Sequence, residues 1–395
     1  MKNSFPKIIL KAQKERSVLN KHPWLFSGAV EKMDAGINEG DIVEIFSKDQ
    51  KYLATGHYHD GSIKVRIFSF AQTDCSYSFW KEKIEKVFAL RQQLGLINNP
   101  HTNVYRLIHA EGDGMPGLII DIYNSTAVIQ THTLGMHRIK NFVVDALKEI
   151  YGNHLAAIYD KSADAMSKQD ASNVSNEFLF GNKENNEVIE NGIHFSIDFE
   201  LGQKTGFFID QRDNRKLLGE YSKGKKVLNT FAYSGGFSLY ALKEGAELVH
   251  SVDSSKKAAA WCKKNISLNF DSVQHEFFTE DVFDFLKKSE TEYDVIILDP
   301  PAFAKHLSSV DKATIGYRNL NVEALKKIKK NGILFTFSCS QVIDKNLFRK
   351  ILFTAAVHAK RNVRILHQLT QPADHPISIY HPEGEYLKGL VLHVE

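Results

Sequence analysis

From about residue 224 onward, apolar runs of strand length alternate with amphipathic runs of helix length, and this alternation limits the fold more than any other feature of the chain. Strands are predicted at Lys226–Thr230, Leu248–Asp253, Gln274–Thr279, Tyr293–Leu298 and Ile333–Ser338. Helices are predicted at Ser238–Lys243, Lys256–Asn269, Val282–Lys288 and Asn319–Lys330. Strands that take turns with helices pair in parallel, with helices covering both faces. Ligands of such sheets sit beyond the carboxyl ends of the strands. The residues just after each strand therefore carry the functional information. The lysines 326, 327, 329 and 330 read as the basic end of the last helix, with Asn331-Gly332 as its left-handed cap.

The first part of the chain has another pattern. Asp41–Phe46, Tyr52–Tyr58 and Ser62–Phe68 read as short strands separated by turns, a small β-barrel module over residues 1–72. Residues 73–185 mix helices (Phe79–Leu94, capped by Gly95, and Arg138–Tyr151) with strands near Val104–Ala110, Leu118–Tyr123 and Ala127–Thr131. Asn182–Asn191 is polar, with Glu184, Glu187 and Glu190, and reads as a hairpin loop or linker. The alternating region with its lead-in covers 186–395.

Composition excludes some classes. The formal charge is only +3, so bulk charge does not point to nucleic acid. Its distribution says more: Lys2, Lys7, Lys11, Lys14, Arg16 and Lys21 face a single acid, Glu15, in the first 22 residues. Such an arm can meet phosphates, as can Arg66 and His57, or it can be a solvated terminus. Trp24 can serve the same face or the core. Three scattered cysteines, Cys75, Cys262 and Cys339, make neither a disulfide framework nor a metal set. With no signal peptide and no long apolar run, a cytoplasmic protein without a membrane partner is expected.

At the strand ends, Phe231-Ala232-Tyr233-Ser234-Gly235-Gly236 follows the first strand, a small-residue turn that lets backbone approach a ligand closely. It is neither a dinucleotide fingerprint nor a Walker loop. Asp253 ends the second strand, where an acid can accept both ribose hydroxyls of an adenosine cofactor; Asp253, Ser254 or Ser255 can equally cap the next helix. Asp281 allows the same two readings, with adenine as the ligand. The fourth strand ends in Asp299-Pro300-Pro301-Ala302-Phe303, in which two prolines stiffen the backbone and offer a flat apolar platform beside a carboxylate. Cys339, after the fifth strand, is either core or nucleophile. Cys75 and Cys262 read as core.

These residues carry a resemblance. The second half resembles class I S-adenosylmethionine-dependent methyltransferases. The whole chain is similar to bacterial 23S rRNA cytosine-5 methyltransferases with an N-terminal PUA domain and a central α+β domain. The stretches are His22–Val30, Gly114–Leu118, Lys204–Arg215, Asp299–Phe303 and Glu385–Leu390. The resemblance implies an α/β fold: a Rossmann-like, seven-stranded methyltransferase domain preceded by the PUA-like barrel and the central domain. It implies that Phe207, Gln211 and Arg212 line S-adenosylmethionine, and that Phe231, Tyr233, Ser234 and Gly235 wrap its methionine part. Asp253 and Ser254 would take the ribose, and Asp281 and Val282 the adenine. Asp299 would face both sulfonium and base, Pro300, Pro301 and Phe303 would form the base platform, and Cys339 would be the nucleophile. No metal is implied. The partner would be RNA, 23S rRNA in particular, and a homodimer is compatible with the pattern. Asn229 departs from the acid common at its position. Pro301-Ala302 stands where better-known relatives carry a second cysteine, so neither the release of Cys339 nor the base that removes the carbon-5 proton is identified. Two other readings are a purine N-methyltransferase with Cys339 in packing, and a non-catalytic RNA-binding protein.

Overall fold

The computed structural model describes residues 5–166, 174–182, 186–304 and 306–395. Lys2 of the basic arm and Glu184 of the polar segment lie outside the described residues. The chain forms two compact units. One comprises Met1–Ile189, Ile197–Ile209 and Ala373–Gly384; the other comprises Glu190–Ser196, Asp210–Pro372 and Glu385–Glu395.

The first unit begins with a six-stranded sheet. Its edge strands, Trp24–Phe26 and Val30–Met33, are consecutive in the chain and joined by the turn Ser27–Ala29, so the sheet curls back on itself. Three of its strands coincide closely with the expected ones. Lys7–Leu10, Trp24–Phe26 and Val30–Met33 are too short for a periodic signal. From Lys7 onward the basic arm is structured: Ile8, Leu10 and Val18 lie in the core, and Lys11 Nζ donates to Gly28 O at 3.1 Å. A five-stranded sheet follows, covered by the helices Tyr77–Gln93 and Lys140–Tyr151.

Two expectations about phosphate contact are corrected here. His57 is only 2% exposed and stacks on Trp80, 6.0 Å between ring centroids, because the helix carrying Trp80 covers the second face of the strand Tyr52–Tyr58. Burial holds its pKa down at about 3, so the ring is neutral. Arg66 donates to Glu111 Oε1 at 3.0 Å and lies over the Trp24 ring, whose Nε1 donates to the same oxygen at 2.8 Å.

The second unit is built on a seven-stranded sheet. We label its strands β1 (Lys226–Thr230), β2 (Leu248–Val252), β3 (His275–Phe278), β4 (Tyr293–Leu298), β5 (Ile328–Ser338), β6 (Val363–Leu369) and β7 (Lys388–Val394). The spatial order is β3-β2-β1-β4-β5-β7-β6, with only β7 antiparallel to its neighbours. The helices are α1 (Arg212–Glu220), α2 (Gly236–Lys243), α3 (Lys256–Ser267), α4 (Val282–Lys288), α5 (Val310–Lys327) and α6 (Lys345–Ala359). Alternate residues of each strand enter opposite layers. Leu228, Ile296 and Leu334 pack with Tyr317 and Phe348, whereas Val227, Val295 and Phe335 pack with Leu218 and Phe237.

The expected helix cap at Asn331-Gly332 is not formed. Helix α5 stops at Lys327, and Lys329 and Lys330 already belong to β5. Lys329 Nζ instead pairs with Asp294 at 3.0 Å, and Asn331, with φ +64°, marks the irregular register between β4 and β5. Among the described residues no helix is long and apolar enough to cross a membrane.

Candidate active site at the strand ends

Strand order reverses between β1 and β4, and such a switch point opens a crevice at the carboxyl edge of the sheet. The register fixes what lines it. Thr230 of β1 pairs with Val252 on one side and Leu298 on the other. The next residues, Phe231, Asp253 and Asp299, are therefore level at the edge.

The turn after β1 is strained. Phe231 (φ +53°) and Tyr233 (φ +46°) are in the left-handed region with Gly235 (φ +82°). Side-chain-bearing residues rarely adopt this conformation, which is a hallmark of functional loops. Three contacts hold it. Tyr233 N donates to Asp253 Oδ2 at 3.0 Å, Asn265 Nδ2 donates to Ser234 O at 3.0 Å, and Gly235 packs on Cys262. A Cβ at Gly235 would come within 2.4 Å of the Cys262 sulfur, so only glycine fits. Cys262 is core, as read from the sequence, its thiol pushed up to about 12 by burial. Cys75 is buried too, likewise at about 12.

The cap-or-ligand ambiguities separate. Ser255 caps α3 by accepting from Ala258 N at 3.3 Å, which leaves the Asp253 carboxylate at the turn, bound to Tyr233 N and, through Oδ1, to Ser255 N at 2.9 Å. Asp281 does cap α4, accepting from Phe283 N and Asp284 N through Oδ1. Val282 beside it is buried, and Ser254 is exposed.

The block before the sheet is divided between the units. Phe207 lies in the first unit, buried, its N–H donating to Tyr123 Oη at 3.2 Å. Gln211 and Arg212 open α1 in the second unit, both buried, with Gln211 Oε1 accepting from Asn214 Nδ2 at 2.6 Å. Arg215, in the same helix, makes a two-pronged buried pair with Glu190 (Nε–Oε1 2.9 Å, Nη2–Oε2 2.8 Å). Glu190 closes the strand Glu187–Glu190, in the polar stretch read as a loop or linker.

On the other side of the crevice, the turn after β4 meets the turn after β5. The Cys339 thiol lies 3.9 Å from Pro300 O. Phe303 packs on Tyr317, with ring centroids 4.5 Å apart. Ser340 Oγ accepts from Ala304 N at 3.3 Å and is 3.0 Å from Tyr317 Oη. Asp299, Pro300, Phe303 and Cys339 are thus gathered at one place. Sequence reasoning missed Ser340, Tyr317 and Lys388 here. Lys388 is buried, and its Nζ donates to Ser340 O and Tyr386 O, both at 2.7 Å. Burial lowers its pKa to about 8, against the raising influence of Cys339, Glu385 and Asp344. The only available signal was its place in the Glu385–Leu390 stretch.

The residues fit an adenosine-bearing methyl donor. A strained turn stands at the switch point, a carboxylate follows β2, and a buried valine follows the acid after β3. Fold and strand ends together define an S-adenosylmethionine-dependent methyltransferase. Residues 156–377 match the S-adenosylmethionine-dependent methyltransferase family model, and residues 8–70 match a PUA-like domain. The chain is 38% identical over 394 residues to the ribosomal RNA large subunit methyltransferase I of Tolumonas auensis, covering 98% of each protein. It is also 38% identical over 396 residues to that of Vibrio vulnificus, covering 98% of this chain and 99% of that one. A solved structure from Streptococcus mutans shares the fold with a TM-score of 0.83 at 23% identity, over 98% of this chain and 99% of its own. The chain belongs to the ribosomal RNA large subunit methyltransferase I family.

Proposed function

We propose that this enzyme methylates carbon 5 of a cytosine in 23S rRNA, in the cytoplasm, with Cys339 as nucleophile and Asp299 beside the base. The observation that carries this reading is the approach of the Cys339 thiol to the Asp299-Pro300-Pro301 turn at the crevice. Relatives named for the ribosomal RNA large subunit support the substrate class.

The chemistry needs these residue types. Carbon 5 of cytosine is a weak nucleophile. Attack of the Cys339 thiolate on carbon 6 forms a C–S bond and pushes electron density to carbon 5. Asp299, sharing a proton with ring nitrogen 3, offsets the charge that develops on the ring. S-adenosylmethionine supplies the methyl group. Loss of the carbon-5 proton to a base then expels the Cys339 sulfur and restores the ring. Pro300, Pro301 and Phe303 give the flipped-out base a rigid apolar face. Asp253 with Ser254 would hold the cofactor's ribose, Asp281 and Val282 its adenine, and Phe231, Tyr233, Ser234 and Gly235 its methionine part. Gln211 and Arg212, in the same unit, would complete the cofactor set.

For the RNA, the first unit offers an exposed aromatic and cationic patch. Phe26 and Tyr380 are 45% and 49% exposed, and Lys21 Nζ lies 5.8 Å from the Tyr380 ring centroid. Aromatic faces stack bases while lysine meets phosphate. This patch replaces His57 and Arg66 as the phosphate-facing surface.

RNA carrying 5-fluorocytosine at the target position tests the chemistry. Fluorine cannot leave as a proton does, so a stable protein–RNA adduct through Cys339 is expected in the presence of cofactor. Turnover without any adduct would favour the purine N-methyltransferase reading.

A further inference from the structure

Lys388 is a buried charge to which the proposed reaction gives no role. Lys388 lies on β7, where it is the antiparallel partner of Ser338, the last residue of β5. From there its ammonium reaches past the strand end to Ser340 O, so it brackets Cys339 from both neighbours. Its other bond, to Tyr386 O, also goes to a neutral carbonyl. Among the described residues no carboxylate forms an ion pair with it; the nearby Glu385 pairs with Lys345 instead. A buried ammonium satisfied only by carbonyls is costly, and an apolar side chain of similar length would avoid that cost. The group that gives the charge a purpose is the thiol it brackets.

We propose that Lys388 is a positioning residue for Cys339: it clamps the turn that carries the thiol and holds the sulfur toward its thiolate form. The assignment rests on the reading of Cys339 as nucleophile. The clamp is mechanical on one side and electrostatic on the other. Ser340 is fixed through its carbonyl by Lys388 and through its hydroxyl by Tyr317 and Ala304, so the residue before it has little freedom. A cation beside a thiol lowers its pKa, the proton leaving to solvent, and thereby increases the fraction able to attack. The titratable and charged groups around Lys388 are Cys339 on the β5 turn, Glu385 before β7, Asp344 and Lys345 at the start of α6, and the Tyr317 hydroxyl across Ser340 on α5.

The test is the pH profile of Cys339 alkylation by iodoacetamide in the full chain, read peptide by peptide by mass spectrometry, with buried Cys75 and Cys262 as internal references. It requires neither RNA nor cofactor. Wild type should show a Cys339 midpoint below the ordinary thiol value of about 8.5. Lys388→Gln should raise that midpoint by about one unit, making alkylation near pH 7 about tenfold slower, and Lys388→Arg should keep it near wild type. An unchanged midpoint in Lys388→Gln would overturn the proposal. If that variant does not fold, the wild-type profile decides, and a midpoint at or above about 8.5 overturns it. Methyl transfer retained by Cys339→Ala would instead overturn the nucleophile reading, whatever the alkylation profile shows.

Discussion

The Cys339 sulfur lies 3.9 Å from the carbonyl oxygen of Pro300. Thirty-nine residues of chain separate the two. They meet because β4 and β5 are adjacent and parallel, with Leu298 paired to Thr336. Each strand thus delivers its following turn to the same edge, and the Cys339 thiol is brought beside a proline-stiffened carboxylate turn without any local sequence motif joining them.

Asp253 anchors the strained turn, and the proposed function gives it the ribose of the cofactor. Asp253→Ala removes a charged acceptor from the Tyr233 N–H. Hydrogen bonds to charged groups contribute about 1.5–3 kcal/mol, so S-adenosylmethionine affinity should fall roughly tenfold to a hundredfold in titration calorimetry. Unchanged affinity would remove Asp253 from the cofactor site.

The Glu190–Arg215 pair makes a prediction about stability. Both side chains are buried, and Glu190 also accepts from Tyr240 Oη at 3.0 Å. Glu190→Ala breaks this buried ion pair by removing one partner, which costs about 3–5 kcal/mol. Urea unfolding should show that loss, and replacement of both residues by apolar ones should recover much of it.

His57 predicts a pH dependence. Its folded-state pKa of about 3 lies below the ordinary 6.5, so the unfolded chain takes up the proton first. The stability contributed by the neutral buried ring is complete above about pH 6.5 and is lost as pH falls toward about 3, with a slope approaching 1.4 kcal/mol per unit. His57→Leu should flatten that limb of a stability-versus-pH curve; an unaltered slope would contradict the assignment.

The aromatic patch makes the prediction for RNA. Lys21→Ala with Tyr380→Ala should weaken RNA binding while leaving it salt-sensitive, with a log–log salt slope reduced by about one. Point variants are the right instrument, because Trp80 packs against His57 and Phe68 and deleting residues 1–72 would expose that core. Unchanged affinity would move the RNA surface elsewhere.

The legible parts of this fold were those written in local periodicity. Strands β1 and β4 and helix α4 coincide with their sequence expectation because buried strands and a capped helix leave strong short-range patterns. Asp299 and Cys339 stood out as candidates because parallel sheets put ligands at strand ends. What stayed hidden depends on long-range pairing. Lys388 acquires its place only when the last strand inserts antiparallel beside β5. Glu190 looked like linker because its partner is 25 residues away. His57 looked exposed because alternation along its strand gave no hint that a later helix covers the second face. Lys329 and Asn331 matched a helix cap, yet their segment joined the sheet.

The most direct test of the account is nucleoside analysis by mass spectrometry of unmodified 23S rRNA incubated with the enzyme and isotope-labelled S-adenosylmethionine, for wild type and Cys339→Ala side by side. The account predicts label in 5-methylcytidine with wild type and none with Cys339→Ala. Label in a methylated purine, or 5-methylcytidine formed by Cys339→Ala, would contradict it.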